Sequence, residues 1–297
     1  MQSSLFLYII TVLIWGSTWL AIKYQLGEVA PVYSISYRFA LAAALLLVFC
    51  LWQKISLKFN PKEHLFIALQ GFLIFSANYV LIYEATAHLT SGLVAVVFST
   101  MVFLNIINGA ILFKTPIDRR VIAGACSGLI GICLVFLPEL TTWNSSSTTI
   151  TALIICISGT YVASLGSLTS ARNQRAGIAV LPSNAIGMAY GALFTLVAGL
   201  VKGDPLSFDY SAPYIVSLLF LAIPGTVIGF WSFLTLIGRI GADRAAYAML
   251  LFPIIALGLS TLAEGYTWTY NAFLGVALIL AGNVLVLWRK SGKPESA

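Results

Sequence analysis

Charge is what this 297-residue chain has least of: Asp, Glu, Lys and Arg together make up 9% of it, while 60% is hydrophobic. A soluble globular chain carries about 25% charged residues, so a compact domain of this size cannot clothe its surface for water. That excludes a soluble enzyme, and the hydrophobicity equally excludes an intrinsically disordered chain. Histidine is almost missing, with His64 and His88 alone, so no metal-ligand cluster can assemble and no cofactor is expected. The four cysteines, Cys50, Cys126, Cys133 and Cys156, all lie inside apolar stretches. They read as small buried hydrophobes rather than as a disulfide framework. No basic run with interleaved aromatics occurs, which argues against nucleic acid as a partner. No Gly-x4-Gly-Lys-Ser/Thr loop occurs, so this chain supplies no ATP drive of its own. Acidic residues avoid the middles of the apolar runs: Glu84, Asp118, Glu139, Asp243 and Glu264 all stand near their ends. Proton relays and sodium sites normally place carboxylates within the pathway, so facilitated diffusion or exchange is expected over a proton pump.

Long apolar runs are what the chain does have. One membrane-spanning helix needs about 20 predominantly apolar residues. Read that way, spans fall near 4–22, 32–53, 64–84, 91–113, 119–138, 149–168, 180–202, 214–238, 243–263 and 270–288. Continuous hydrophobicity over such lengths predicts helices, since barrel strands alternate polar and apolar residues over about 10 positions. The expected fold class is therefore an all-α polytopic membrane protein of ten transmembrane helices in a lipid bilayer. Met1-Gln2-Ser3-Ser4 has no positive flank and its apolar run is long, so the first segment reads as a retained span rather than a signal peptide.

The cations predict the orientation. Lys54, Lys58, Lys62, Lys114, Arg119, Arg120, Arg172, Arg175, Arg239, Arg244, Arg289, Lys290 and Lys293 fall in the loops after even-numbered spans or in the C-terminal tail. The opposite loops hold Lys23 and Lys202, and Arg38 lies inside the second span. Lys and Arg favour cytoplasmic loops, which predicts cytoplasmic N- and C-termini and an even number of spans.

A repeat runs through the chain at an offset of 151 residues. Leu89-Thr90-Ser91-Gly92-Leu93-Val94-Ala95 is similar to Ile240-Gly241-Ala242-Asp243-Arg244-Ala245-Ala246, and Gly124 and Gly131 match Gly275 and Gly282. Residues 1–141 and 142–297 are thus expected to be two five-helix repeats forming one transport domain. An odd number of spans per copy inverts one copy relative to the other, an architecture of secondary transporters with the substrate site between the halves.

These features resemble the drug/metabolite transporter superfamily, in particular its EamA-like ten-helix members. The resemblance is carried by Trp15-Gly16-Ser17-Thr18-Trp19, by Arg38-Phe39 and, most closely, by the series Gly241-Ala242, Phe252-Pro253, Leu262-Ala263-Glu264 and Gly275 to Gly282. Val102 and Phe113 stand where the first copy would repeat Pro253 and Glu264, so the roles of that Pro and Glu transfer only to the second half. The resemblance implies an inner-membrane transporter of small metabolites, often an exporter.

Polar and aromatic residues inside the spans are the candidate cavity. Arg38 is a cation several residues within an apolar run, costly there by about 2.5–3.5 kcal/mol. It either faces the cavity and a hydrogen-bond network or snorkels outward, lying seven residues after Pro31. Asn78, Tyr79 and Tyr83 share the third span, the tyrosines one turn apart. Trp15 and Thr18 form a patch in the first, Thr100 and Asn105 stand in the fourth, Tyr161 in the sixth, Trp231 in the eighth and Tyr247 in the ninth. Thr100 can also bond to its own helix backbone. Pro224-Gly225 and Pro253 are hinge candidates, since proline removes a helical hydrogen bond, although a static kink is the plainer reading. Glu84 and Glu264 are the candidates for coupling, although Glu264 has a plainer reading as a carboxylate that favours the adjacent positive start of the last span.

The expected function is secondary transport, with export in view, of small organic metabolites such as amino acids by alternating access. The alternative substrates are organic cations, amines or drug-like compounds held over aromatic faces. An intramembrane enzyme would need a catalytic group at depth, and a non-transporting scaffold would need neither repeat nor polar wall. The expected partners are a small-molecule substrate and the bilayer, with the chain a monomer or homodimer.

Overall fold

The computed structural model describes residues 4–113, 119–141, 146–240 and 248–287. Among them there is no strand. The helices are α1 (Ser4–Lys23), α2 (Pro31–Trp52), α3 (Pro61–Phe72), α4 (Asn78–His88), α5 (Ser91–Phe98), α6 (Met101–Phe113) and α7 (Arg119–Thr141), then α8 (Ser146–Arg175), α9 (Val180–Lys202), α10 (Ala212–Ala222), α11 (Gly229–Ile240), α12 (Ala248–Ala263) and α13 (Tyr270–Leu287). The π-helical segments Leu73–Ala77 and Ile223–Ile228 join α3 to α4 and α10 to α11. Among the described residues, seven helices are long and apolar enough to cross a membrane, and Ile122–Leu137, Leu251–Ala263 and Tyr270–Leu285 are shorter apolar helices. Val48, Leu129, Ile154 and Val216 are among the apolar side chains left exposed on the outside, a surface made for lipid rather than water.

Local chemistry sets the helix ends. Asn60 and Glu63 form a reciprocal capping box around Pro61 at the start of α3, which satisfies two free N–H groups at once. Thr90 and Ser211 cap α5 and α10 through their hydroxyls, and α9 ends on Gly203 at φ 79°, a left-handed conformation suited to glycine. Between α5 and α6, the Ser99 and Thr100 hydroxyls donate to the carbonyls of Val96 and Val97 at 2.7 and 2.6 Å. Such side-chain bonding competes with the backbone ladder and marks the break there. Helix α8 continues to Arg175 although its apolar run ends near 168. Hydropathy reports where lipid contact stops, whereas the backbone keeps its helical bonds into the polar region. Arg172 and Arg175 therefore sit in a last helical turn rather than in a loop.

Small residues govern the packing. Helix α2 lies along α9, and α7 along α13. A Cβ added at Gly131 would stand 2.5 Å from the carbonyl oxygen of Gly275, and one at Gly275 equally close to that of Gly131. A Cβ at Gly282 would stand 2.7 Å from the carbonyl of Gly124. Between these crossings Ser127 Oγ donates to the carbonyl of Leu278 at 2.8 Å. Glycine here allows backbone-to-backbone approach, as small residues do in membrane helix pairs. Gly191 serves similarly against Phe75, whose Cβ would stand 2.6 Å from a Cβ added at Gly191. The main core runs through the centre, with Phe39, Phe75, Met188, Leu221 and Ala256 fully buried in it.

Candidate functional site

A cavity of about 410 Å³ lies within the bundle, walled by α1, α2, α4 and the two π-helical segments together with α5, α6, α8, α9, α11 and α12. The π-helical segments shape it. In the first, the Asn78 N–H donates to the carbonyl of Leu73; in the second, Thr226 Oγ1 donates to the carbonyl of Leu221 at 2.8 Å. A π-bulge widens one turn and re-aims the side chains beside it. Pro224 accounts for the second bulge by removing an N–H. The first holds no proline, and nothing in Leu73–Ala77 marks it in the sequence.

Arg38 is the one charged side chain lining the cavity among the described residues. It does not snorkel: it is 3% exposed, with its guanidinium carbon 5.1 Å from the Phe39 ring centre and 4.7 Å from that of Tyr79. Those rings are in edge contact at 4.8 Å, so the cation is held by aromatic faces. Nη2 donates to Tyr79 Oη and to Thr226 Oγ1, both at 3.4 Å, longer than a good N–H···O bond of about 2.7–3.2 Å. Nε and Nη1 make no hydrogen bond. Asn78 lines the same cavity: its amide donates to the Ile74 carbonyl at 3.2 Å, and its Oδ1 is buried without a donor.

Trp15 and Thr18 also line the cavity, as do Tyr79 and Gly225. Trp15 Nε1 donates to the Gly225 carbonyl at 3.2 Å, so one face of α1 is pinned to the second π-helical segment. The Trp15 ring lies 5.5 Å from Phe230 and 4.9 Å from Phe233. Thr18 turns its hydroxyl to the Trp15 carbonyl at 2.7 Å, which leaves its methyl towards Gly225.

Other expected residues lie elsewhere. Tyr83 is fully buried behind Tyr79, near Arg38, and its hydroxyl has no hydrogen bond of standard geometry. Thr100 belongs to the α5–α6 break, and its neighbours Ser99, Met101 and Val102 line the cavity in its place. Asn105 is half-buried outside the lining, with Oδ1 lacking a donor. Tyr161 and Trp231 are 44% and 51% exposed and turn away from the cavity, because they occupy the faces of α8 and α11 opposite the residues that do line it. Tyr247 lies outside the described residues, as do Asp118 and Asp243. Pro224 sits in the second π-helical segment and Pro253 inside α12, one residue after the cavity-lining Phe252.

The two coupling candidates part company. Glu84 is exposed at the end of α4, 3.8 Å from His88. Glu264 is drawn inward: both carboxylate oxygens accept the N–H of Ser91, at 3.1 and 3.0 Å, and one accepts its hydroxyl. Lys23 Nζ is 3.7 Å away. The partner is thus the positive start of α5 rather than that of α13, because tertiary packing brings the end of α12 onto α5. Just beneath, the Trp19 ring lies 5.0 Å from Phe98 and 6.2 Å from Phe252. Together these contacts bar the cavity at the Lys23 end.

The cavity reaches the opposite end along α8. Ala163, Ser167, Ser170 and Gln174 line it, with Asn184 of α9. These α8 residues are spaced four, three and four apart, a helical face that would have identified them had the span been extended past 168. Asn184 Oδ1 accepts from Gln70 at 2.8 Å, and Gln70 Oε1 from Asn173 at 3.0 Å, tying α3, α8 and α9 together.

Comparison with known proteins agrees with this architecture. Residues 2–137 and 146–288 each match the model of the EamA-like transporter family. Protein PagO of Salmonella typhimurium is 25% identical over 282 residues, covering 95% of this chain and 91% of that protein. A protein of Escherichia coli named "Probable amino-acid metabolite efflux pump" is 24% identical over 310 residues, covering 98% of each. One protein of known crystal structure superposes with a TM-score of 0.69 at 16% identity, covering 95% of each chain, a likeness of fold.

Proposed function

We propose, from the premise that this chain belongs to the EamA-like transporter family, that it is a secondary transporter exporting small organic metabolites such as amino acids across the inner membrane. The observation that carries this reading is the central cavity of about 410 Å³, walled by helices from both halves of the chain and barred at the Lys23 end. A carrier must close one end of such a cavity before opening the other. The reading includes ten membrane-spanning helices with both termini cytoplasmic, so that the Lys23 end faces outward, as the distribution of Lys and Arg along the sequence favours. It also includes two inverted repeats, 1–141 and 142–297. Their support is reciprocal: at the offset of 151, the Gly131–Gly275 approach maps onto Gly282–Gly124, and Ser127 bonds to its own counterpart Leu278. The π-helical segments beginning at Leu73 and Ile223 fall at nearly the same offset. Alternating access would then exchange the roles of the two ends.

An amino-acid cargo draws support from the relative named as an amino-acid metabolite efflux pump and from a cavity that combines aromatic walls with a few polar groups. Organic cations fit less well, since Arg38 would meet them with like charge. Flux into or out of proteoliposomes, measured with a panel of labelled amino acids and amines, is the test. A solute moving faster than in empty vesicles is expected, and no movement across the whole panel would reject the carrier.

A further inference from the structure

A one-way chain of side-chain amides runs from Arg172 to the cavity. Arg172 Nη1 donates to Asn173 Oδ1 at 3.1 Å. Asn173 Nδ2 donates to the carbonyl of Phe66 at 3.3 Å and to Gln70 Oε1 at 3.0 Å. Gln70 Nε2 donates to Asn184 Oδ1 at 2.8 Å. Chemistry fixes the direction. A guanidinium only donates and a backbone carbonyl only accepts, so Asn173 can face Arg172 and Phe66 in one sense alone, and each amide then sets the next. Gln70 and Asn173 are 0% and 1% exposed, so no water competes for their polar ends. Arg172 is held in turn by the Phe66 ring, with its guanidinium carbon 3.3 Å from the ring centre.

Asn184 ends the chain. It lines the cavity and is more than nine-tenths buried, at 8% exposure. Its oxygen is occupied by Gln70, which leaves Nδ2 as the donor for the cavity. Unlike Asn78 Oδ1, this atom is not sealed off by protein. Aligned hydrogen bonds polarise one another, and this series starts from a cation, so the amide nitrogen of Asn184 is its positive end. At the same end of the cavity the Ser167 hydroxyl gives its hydrogen to the Ala163 carbonyl at 3.0 Å, so it does not duplicate the donor. No Asp or Glu lines the cavity among the described residues. We propose that Asn184 is a specificity-determining residue, donating through Nδ2 to a carboxylate oxygen of the solute, and that Arg172, Asn173 and Gln70 are positioning residues that hold its amide in that sense. A solute that brings an ammonium to the same place meets the wrong end of the amide. The inference rests on the transport reading above, which puts this end on the cytoplasmic side, and assigns a selecting residue to it.

The test is equilibrium binding of 3-phenylpropionate and 3-phenylpropylamine to the full-length protein in detergent, alongside proteoliposome flux. The carboxylate is expected to bind about tenfold more tightly than the amine, as one hydrogen bond to a charged group predicts. Asn184→Leu should remove about tenfold of that preference by weakening the carboxylate alone. Asn184→Ser shortens the group so that its hydroxyl turns to its own helix backbone. It should give the same fall, which keeps the test open if the leucine variant does not fold. Gln70→Leu leaves Asn184 in the wall but frees its amide to turn, and should lower the preference about threefold, as for a neutral hydrogen bond. A merely structural defect would weaken both probes alike. Equal weakening of both probes in the Asn184 variants, or an unchanged preference, would overturn the role of Asn184. An unchanged preference in Gln70→Leu would overturn the positioning chain. Binding of neither probe, while solutes of the wider panel still move, would overturn the recognition and leave the carrier standing. No movement of any solute in the panel would overturn the transport reading itself.

Discussion

Glu264, at the end of α12, accepts both the backbone N–H and the hydroxyl of Ser91, the first residue of α5, with the N–H at 3.0 and 3.1 Å from its two oxygens. The pair joins two helices 173 residues apart in sequence, and Lys23 brings in a third. A carboxylate at a helix start gains from the helix dipole as well as from the hydrogen bonds. The bar across this end of the cavity therefore combines one polar contact, that of Glu264, with the packed rings of Trp19, Phe98 and Phe252.

Removing that carboxylate should loosen the Lys23 end. A hydrogen bond to a charged group contributes about 1.5–3 kcal/mol, enough to shift a two-state equilibrium about tenfold or more. Glu264→Ala should therefore speed labelling of a cysteine at position 18 by a membrane-impermeant thiol reagent added outside. The background protein would lack the four native cysteines. An unchanged labelling rate would show that Trp19, Phe98 and Phe252 bar the cavity without help.

Close helix approach makes a second, independent prediction. Gly275→Ala would bring a Cβ to 2.5 Å from the Gly131 carbonyl, and overpacking of this kind costs about 1–3 kcal/mol. Its thermal midpoint in detergent should fall by several degrees. Gly258→Ala is the control, since a Cβ there meets nothing within 4 Å. Its midpoint should hold or rise, because alanine is the better helix former by about 1 kcal/mol.

The hold of Trp15 on the second π-helical segment should be visible in transport. Trp15→Phe keeps an aromatic ring against Phe230 and Phe233 but loses the bond to the Gly225 carbonyl. A neutral hydrogen bond contributes about 0.5–1.5 kcal/mol, so a several-fold fall in flux at unchanged protein level is expected. Flux equal to the parent protein would mean that ring packing alone positions α1.

Side-chain direction separates Tyr79 from Tyr161. Tyr79→Ala removes a ring from the cavity wall and from Arg38, and flux should fall about tenfold, as for loss of a desolvated cation–π contact and its packing. Tyr161→Ala and Trp231→Ala alter exposed outer positions and should leave flux within about twofold, since surface substitutions away from special features change little. Parallel flux assays on the three variants check this.

The helical, membrane-embedded character of this chain is written in its composition. So few charges and such long apolar runs leave the helix as the structure that satisfies its own backbone in lipid. Gly124, Gly131, Gly275 and Gly282 were also legible as a spaced series, and each lies where two backbones meet. Arg38, Asn78, Tyr79, Trp15 and Thr18 stood out because a polar or aromatic residue within an apolar run is rare and costly. Tertiary structure decided what periodicity cannot see in a helix apolar all round. Within the apolar run of α8 up to about residue 168, lipid and protein are equally apolar surroundings, so hydrophobicity does not tell which face turns inward, and packing decides that Tyr161 faces out; the polar spacing of Ser167, Ser170 and Gln174 shows the inward face only beyond that run. The π-bulge at Leu73–Ala77 and the docking of Glu264 on α5 likewise depend on neighbours distant in sequence. Composition thus determined the environment and the element type, whereas the assignment of faces, and with it the site, required the packing of one helix against another.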